Sequence, residues 1–165
     1  MISLQNAILF VAILLSGLIA GLLYAYSCSI NPGLKALSDK EYVHAMQSIN
    51  EAIQNPIFFL SFVGLLAVYP LSVYHVYTTP LKLSTYLMII ATLVYFFGVF
   101  GLTMWRNVPL NELLAKFDIS QASPEQIAAI RQRFEGPWNN YHTIRTFASI
   151  LSFGLTILSV MKQKI

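Results

Sequence analysis

The sequence is short of charged residues. Only 10% of its 165 positions are Asp, Glu, Lys or Arg, whereas soluble domains average roughly 25%. So few charges cannot coat a water-soluble globule of this size, but they suit a body surrounded by lipid. The single cysteine, Cys28, excludes an intrachain disulfide. The formal net charge of +3 comes from basic residues that form no cluster, which argues against nucleic acid as a partner.

Familiar catalytic and metal-binding spacings are also missing. The three histidines form no HxxxH or HxxE spacing, a CxxC pair is excluded, and no glycine-rich phosphate loop or nucleophile elbow occurs. A metal site of His44, His142 and a carboxylate such as Glu51 is conceivable but lacks the usual spacing. We therefore predict no metal and no cofactor.

Four long apolar runs dominate the sequence. They cover residues 4–27, 57–77, 83–105 and 144–161, contain no Asp, Glu or Lys, and each approaches the ~20 residues that cross a ~30 Å hydrocarbon core. In lipid, every backbone polar group needs a partner within its own segment, so these runs predict helices. We predict an all-α integral membrane protein, a single transmembrane domain built as a four-helix bundle in contact with the lipid bilayer.

Short amphipathic helices are predicted in the two long connections, both on one side of the membrane. They cover residues 39–54, 109–117 and 124–135. Ser38 with Glu41 has the pattern of a capping box, and Ser123 opens the third of these helices. Asn107 is a candidate cap for the second, and Pro137 with the glycine before it predicts a stop ahead of the last span.

The predicted topology places both termini on the side of the short turn between the second and third spans. All seven carboxylates and most basic residues fall on the opposite side, whereas Lys82, Lys162 and Lys164 lie on the short-turn side without an acid. A count of Lys and Arg favours the carboxylate-rich side as cytoplasmic, but the unpaired lysines beside the membrane favour the termini. We take the termini as cytoplasmic, in a bacterial inner membrane.

The last span carries a polar edge on an otherwise apolar helix. Trp138, His142 and Arg145 recur at positions i, i+4 and i+7 of one face. The same face continues through Ser149, Ser152 and Thr156. A polar stripe on a spanning helix is expected to face the bundle interior, where ionisable residues are candidates for function. The equally weighted alternative is that Arg145 extends to the headgroups while Trp138 is an interfacial anchor.

Three segments, taken in order along four spans, resemble the anthrone oxygenase-like family of small membrane proteins. They are Met46-Gln47-x-Ile49-Asn50, Asn107-Val108-Pro109-Leu110-Asn111 and Trp138-x3-His142-x2-Arg145. Fungal and bacterial members oxidise an anthrone to an anthraquinone with dioxygen. The resemblance therefore implies an oxidoreductase that acts on a hydrophobic aromatic small molecule, anthrone-like or quinol-like.

Together with the residue chemistry, this resemblance implies a role for each polar residue. Imidazole titrates near neutral pH, so His142 is predicted to be the general base that takes the benzylic proton. Arg145 is predicted to stabilise the resulting oxyanion. The predicted substrate-binding residues are Trp138, Asn111, Asn107, Asn50 and Gln47.

Two other functions stay open from the sequence. In the first, the chain is a non-enzymatic membrane protein that binds a lipid, a quinone or a protein partner. In the second, it is a metal- or haem-dependent membrane redox enzyme. A homo-oligomer is open as well. A proton-coupled transporter is disfavoured, because the apolar runs contain neither carboxylates nor interruptions.

Overall fold

The computed structural model describes residues 3–164, which form five continuous helical segments. They are α1 Leu4–Lys35, α2 Asp39–Ala52, α3 Pro56–Val76, α4 Leu83–Ala115 and α5 Pro124–Met161. Residues 3–164 contain no β-strand. Because α1, α3, α4 and α5 are each long and apolar enough to cross a membrane, the predicted all-α membrane four-helix bundle is confirmed.

The outer surface of the bundle is apolar. Large side chains on three of the spanning helices point away from the core, among them Phe10, Phe97 and Phe147, which are 64%, 65% and 71% exposed. A continuous surface of this kind is unfavourable in water, but lipid tails solvate it. The chain is therefore a membrane-embedded protein in contact with lipid.

The spanning helices extend further than the apolar runs predict. Helices are present at the predicted positions 109–117 and 124–135, but they are not separate from the spans, because α4 continues to Ala115 and α5 already begins at Pro124. Both extensions bury apolar residues in one shared cluster, including Leu114 and Phe134. Because each helix simply continues, these side chains are buried without a break in the helix and a second helix start.

The predicted helix stop at Pro137 was also wrong, since α5 passes through this residue without a break. Pro137 is exposed, while Phe134 and Trp138 on either side of it are buried with ring centroids 6.0 Å apart. A proline inside a helix removes one backbone hydrogen bond and crowds the preceding turn. Burial of the two aromatic rings favours the continuous helix despite that cost.

Three wide, π-helical turns interrupt the regular α-helical pattern, at Tyr26–Ile30 in α1 and at Val94–Gly101 and Thr103–Asn107 in α4. Two of them immediately precede a proline-containing turn, with Pro32 and Pro109 as the prolines. A wide turn relieves the clash between a proline ring and the carbonyl four residues earlier.

The prediction that Asn107 caps a helix was wrong for the same reason. The chain continues from the wide turn into Val108 with helical geometry, and the Asn107 side chain makes no capping hydrogen bond. The other two predicted caps are present, since Ser38 and Ser123 each form a capping box. Asn55 also caps α3, because its side chain accepts from the Phe58 N–H at 3.0 Å.

Two apolar clusters fill the interior. The membrane cluster consists of Leu9, Ile19, Leu23, Phe62, Leu65, Tyr69, Val76, Met88, Ala91, Tyr95 and Val99. The cap cluster, formed by α2 and the polar ends of the spanning helices, consists of Leu34, Tyr42, Val43, Met46, Leu114, Ile127, Phe134 and Trp138. The candidate site lies where the two clusters meet, and α1 and α4 contribute residues to both.

Arg131 joins the cap cluster to the end of α1. Its guanidinium binds Asp39 at 2.9 Å and Glu135 at 2.8 Å, and it donates to the Leu37 and Lys35 carbonyl oxygens at 2.8 and 3.1 Å. It also lies 4.4 Å from the centroid of the Tyr42 ring. Burial raises the pKa of Tyr42 well above its ordinary value, so this ring stays neutral beneath the cation.

Close helix contacts occur at two glycines. A Cβ atom added to Gly98 of α4 would lie 2.8 Å from the Cβ of Ala148 in α5, and one added to Gly17 would lie 3.1 Å from the Phe153 ring. Small residues of this kind let spanning helices approach closely. Gly21, one turn beyond Gly17, has no neighbour within 4 Å of an added Cβ, so of these two glycines Gly17 alone lies at a close contact.

Candidate functional site

The polar edge of α5 faces the bundle interior. Trp138, His142, Thr146, Ser149 and Ser152 are all buried. The Trp138 and His142 rings stack with centroids 5.0 Å apart and planes at 7°. This is the inward orientation predicted from the i, i+4, i+7 spacing, and Arg145 of the same edge donates to Thr103 and His142 inside the bundle.

His142 is held through both ring nitrogens. Its Nδ1 lies 3.2 Å from Nη2 of Arg145, and its Nε2 lies 3.0 Å from the Ser27 hydroxyl and 3.3 Å from the Thr146 hydroxyl. A guanidinium can only donate, so Nδ1 accepts, and Nε2 of a neutral ring carries the proton. Neither nitrogen is free to accept a proton from a substrate while the bond to Arg145 is intact.

Arg145 is a cation without a carboxylate partner. Among residues 3–164, the salt bridges are made by Arg131 alone. Arg145 donates to the Thr103 hydroxyl at 3.2 Å and to His142, and its Cζ lies 5.1 Å from the centroid of the Trp138 ring. Its Nε–H has no hydrogen-bond partner. Of the five N–H donors of a guanidinium, two are therefore paired within the described chain.

Two asparagines of α4 fix the position of Trp138. Asn107 is the last residue of a wide turn, and Asn111 lies one turn further along the helix. Asn111 Oδ1 accepts from the indole N–H at 2.7 Å, and Asn107 Nδ2 donates to the Trp138 carbonyl oxygen at 3.2 Å. Asn107 is fully buried, and its Oδ1 has no partner. The Asn107–Asn111 segment therefore holds the ring against which His142 and Arg145 pack.

A cavity of about 810 Å³ lies beside Arg145, between the membrane cluster and α2. This volume falls within the ~300–1,000 Å³ that drug-sized ligands occupy. Its apolar wall is formed by α1 and α3, with Ile19, Leu22, Leu23, Phe58, Phe59 and Phe62. Its polar wall is formed by α2 and the end of α4, with His44, Gln47, Asn50, Glu51, Gln54 and Glu112.

The segment that follows α4 closes one side of this cavity with Phe117, Asp118, Ile119 and Ser120. Gln47 holds the segment in place, since its amide donates to the Leu114 and Phe117 carbonyl oxygens at 2.8 Å each. The Ser120 hydroxyl and N–H donate to Asp118 at 2.6 and 2.8 Å and hold the pKa of this carboxyl below its ordinary value.

Five of the seven predicted site residues line the cavity, namely Arg145, Trp138, Asn111, Asn50 and Gln47. The other two, His142 and Asn107, lie behind this wall and contact its residues. The amide hydrogens of Gln47 are already used by the two carbonyl groups, which leaves its Oε1 as the polar atom available to a ligand. Asn50 is 9% exposed, and its Nδ2 has no partner.

Sequence reasoning missed three residues of the site. Tyr26 and Thr103 line the cavity from the first positions of two wide turns, and Ser27 contacts His142. The wide turns change the rotation of the helix and so alter which side chains face inward. The prolines that follow, Pro32 and Pro109, were a readable signal that regular helix is disturbed at these points.

No group of three His, Cys, Asp or Glu side chains in the described part of the chain is arranged to hold a metal ion. His44 is exposed at the polar wall of the cavity, while His142 is buried with both nitrogens engaged. The conceivable metal site of these two residues with Glu51 is therefore not assembled.

Fold and site together define a four-helix membrane protein with an internal, cation-bearing cavity. The chain belongs to the anthrone oxygenase family, whose model matches residues 52–155. This match contains the Asn107–Asn111 and Trp138–Arg145 segments, while Gln47 and Asn50 precede it. Searches of curated proteins and of solved structures find no match.

Proposed function

We propose that the chain is an oxygenase for a hydrophobic fused-ring phenol or ketone, anthrone-like or quinol-like, which binds in the cavity with one oxygen at Arg145. The family membership supports this reaction class. The observation that carries the proposal is the guanidinium itself, which lines the cavity with no carboxylate partner and an unpaired Nε–H. A buried cation left unpaired is destabilising, so an arginine in this setting is typical of a binding site for an oxyanion.

In the proposed reaction, an anthrone first loses one benzylic proton to water at the polar wall. The negative charge of the resulting enolate is carried by the former ketone oxygen, where Arg145 stabilises it. The benzylic carbon then forms a bond to dioxygen and, after protonation, carries a hydroperoxide. Cleavage of the O–O bond with loss of the second benzylic hydrogen releases water and leaves a carbonyl group. The sum is anthrone plus dioxygen to anthraquinone plus water.

His142 serves this reaction as a positioning residue for Arg145. Its Nδ1 accepts from Nη2 and its ring stacks on Trp138, so it fixes both the cation and the aromatic wall. Proton acceptance by His142 itself, the role predicted from the sequence, requires that Arg145 first release Nδ1. Trp138 offers a flat apolar surface for a fused ring system.

The proposal is tested with purified protein, a dihydroxyanthrone and a paired measurement of dioxygen consumption and quinone absorbance. We expect equimolar dioxygen uptake and quinone formation above the uncatalysed rate. Arg145→Met should lower the rate about a hundredfold or more, the scale seen for loss of an oxyanion donor, while the folded protein stays as stable as the wild type or becomes more stable. Arg106→Met is the matched control, because Arg106 is exposed and lies outside the cavity lining.

A rate no higher than the uncatalysed rate would contradict the oxygenase function. If the anthrone binds without dioxygen uptake and Arg145→Met abolishes binding, the chain is instead a non-enzymatic binder of such compounds. The wall of apolar side chains from α1 and α3 fits that second function equally well.

A further inference from the structure

The charged residues that line the cavity are mostly acidic. Three carboxylates belong to the lining, those of Glu51, Glu112 and Asp118, against the one guanidinium of Arg145. All three acids are exposed and lie on α2, on the polar end of α4 and on the segment after it. Arg145 lies inside the apolar run of α5. A ligand that comes from the polar side therefore passes the acids before it contacts the cation.

Asn50 adds an independent requirement for the ligand. It is next to Glu51 on α2, it lines the cavity, and the residue is 9% exposed with no partner for Nδ2. A buried N–H without an acceptor costs free energy that a ligand oxygen recovers on binding. The amide is an uncharged donor, so a carbonyl or phenol oxygen satisfies it and no charge on the ligand is required.

We propose that the cavity selects an uncharged ligand with at least two oxygen functions and rejects ligands that carry a carboxylate, sulfate or phosphate. The ligand becomes an anion only after the oxygen that will carry the enolate charge contacts Arg145, while Asn50 binds a second, neutral oxygen. This inference rests on the proposed function and narrows its substrate class. Each carboxylate at about 10 Å weakens binding of an anion about twofold in water-like surroundings, so three together give about tenfold.

The test compares binding of two probes, a dihydroxyanthrone and its ring-carboxylated analogue. The chain contains two tryptophans, and Trp105 is 72% exposed, so the Trp105→Phe variant leaves Trp138 as the fluorescent reporter in the cavity wall. Quenching is measured without dioxygen, at neutral pH and low salt, in nanodiscs of zwitterionic lipid. We expect the carboxylated probe to bind about tenfold more weakly than the neutral one.

The charge argument is tested by the triple variant Glu51→Gln, Glu112→Gln, Asp118→Asn. It should bring the two affinities close to equal, as should a high salt concentration that screens exposed charges. Glu125→Gln is the matched control, because Glu125 is an exposed acid outside the lining and its removal should leave the difference unchanged. Asn50→Leu should weaken binding of the neutral probe about tenfold.

Equal affinities for the two probes in the wild-type protein would overturn the inference and leave the proposed function standing. So would a difference that the triple variant does not reduce. If neither probe quenches Trp138 in a folded protein, the proposed function fails and this inference fails with it. Tighter binding of the carboxylated probe would show that Arg145, rather than the acids, governs selection.

Discussion

Toward the termini, the bundle satisfies its buried hydroxyl groups with neighbours, whereas toward α2 it leaves buried polar atoms unpaired. In the first region, Tyr69 bonds to Ser152 at 2.7 Å, and Ser159 donates to the Ser84 carbonyl oxygen at 2.6 Å. The second region contains four of the five buried polar atoms that have no partner in the described chain. They are Asn50 Nδ2, Asn107 Oδ1, Asn139 Oδ1 and Arg145 Nε.

The paired hydroxyl groups hold helices together, whereas two of the four unpaired atoms, on Asn50 and Arg145, belong to residues that line the cavity in which we propose a ligand binds. Asn107 and Asn139 lie outside that lining. In lipid, a hydroxyl paired across two helices contributes modestly to stability. An unpaired polar atom costs stability, and such costs concentrate where binding or catalysis requires them. The fifth unpaired atom, Gln163 Nε2, lies at the terminal end of α5 away from the cavity, and nothing in the structure explains it. Four predictions sharpen the comparison, the largest expected effect first.

The largest effect is expected at His142, on the side with unpaired atoms. His142→Leu removes the acceptor for Arg145 and should lower turnover of an anthrone tenfold to a hundredfold, since loss of orientation alone has effects of this size. His142→Asn keeps an acceptor near the position of Nδ1 and should restore most of the turnover. The measurement is steady-state dioxygen uptake across a pH series.

If His142 is instead the general base, the two variants should lose turnover equally. The turnover of the wild type would then depend on the ionisation of one group, and that dependence would be absent from both variants. Equal losses would therefore support the general-base role predicted from the sequence, whereas rescue by asparagine would support the positioning role.

The next effect is expected at the contact between α4 and α5. Gly98→Val places a branched side chain where even a Cβ would lie 2.8 Å from Ala148, and overpacking of this kind costs about 1–3 kcal/mol. The free energy of unfolding in mild detergent measures it. Gly21→Val is the control because an added Cβ there meets no neighbour within 4 Å, and an equal loss in both variants would indicate a general intolerance of valine.

A smaller effect is expected at Tyr69, on the side with satisfied hydroxyl groups. Tyr69→Phe removes a hydroxyl that bonds to Ser152 and Thr156, so we expect a loss of about 1 kcal/mol in unfolding free energy. Turnover should not change, because Tyr69 is not part of the cavity lining. Tyr74→Phe, at a residue that is 76% exposed, should have no effect on stability. A loss of turnover in Tyr69→Phe would contradict the separation of the two regions.

The smallest effect is expected at the capping box that begins α2. The Ser38 hydroxyl and N–H hold the pKa of Glu41 below its ordinary value of 4.5. A lowered folded pKa means that the contribution to stability is present above pH 4.5 and disappears as the pH falls through the lower, folded value. The protection factors of the amides of residues 39–43, which compare each exchange rate with its intrinsic rate at the same pH, should therefore fall in acid to those of Glu41→Gln. Protection factors that do not change with pH would contradict the contribution of this carboxylate.

Much of the architecture can be predicted from the sequence because lipid restricts which secondary structures can span a membrane. Long apolar runs predict helices with confidence, and the polar edge at i, i+4 and i+7 correctly predicts that Trp138 and His142 face inward. Helix caps at Ser38, Asn55 and Ser123 are readable because capping depends on residues close in sequence. These features rest on local geometry alone.

The remainder depends on contacts between distant segments. Continuation of α5 through Pro137 is decided by burial of Phe134 and Trp138, which outweighs a local signal to stop. Gln47 was predicted to bind substrate, but only the folded chain brings its amide to the carbonyl groups of residues 114 and 117. Local patterns do not specify such partners, so the sequence indicates which residues are polar and inward but not which atoms remain free.

The wide turns have a consequence for how the chain tolerates insertions and deletions. A π-helical turn contains about one residue more than an ordinary turn, so removal of one residue near Ser29 converts the segment to regular pitch. Residues on the two sides of the deletion then keep their relative rotation, because the regular turn of ~3.6 residues that remains also completes one revolution. A deletion in a regular turn of the same helix instead rotates the flanking residues by about 100° relative to one another. The wide turns should therefore be the positions in α1 and α4 where loss of a single residue disturbs helix packing least.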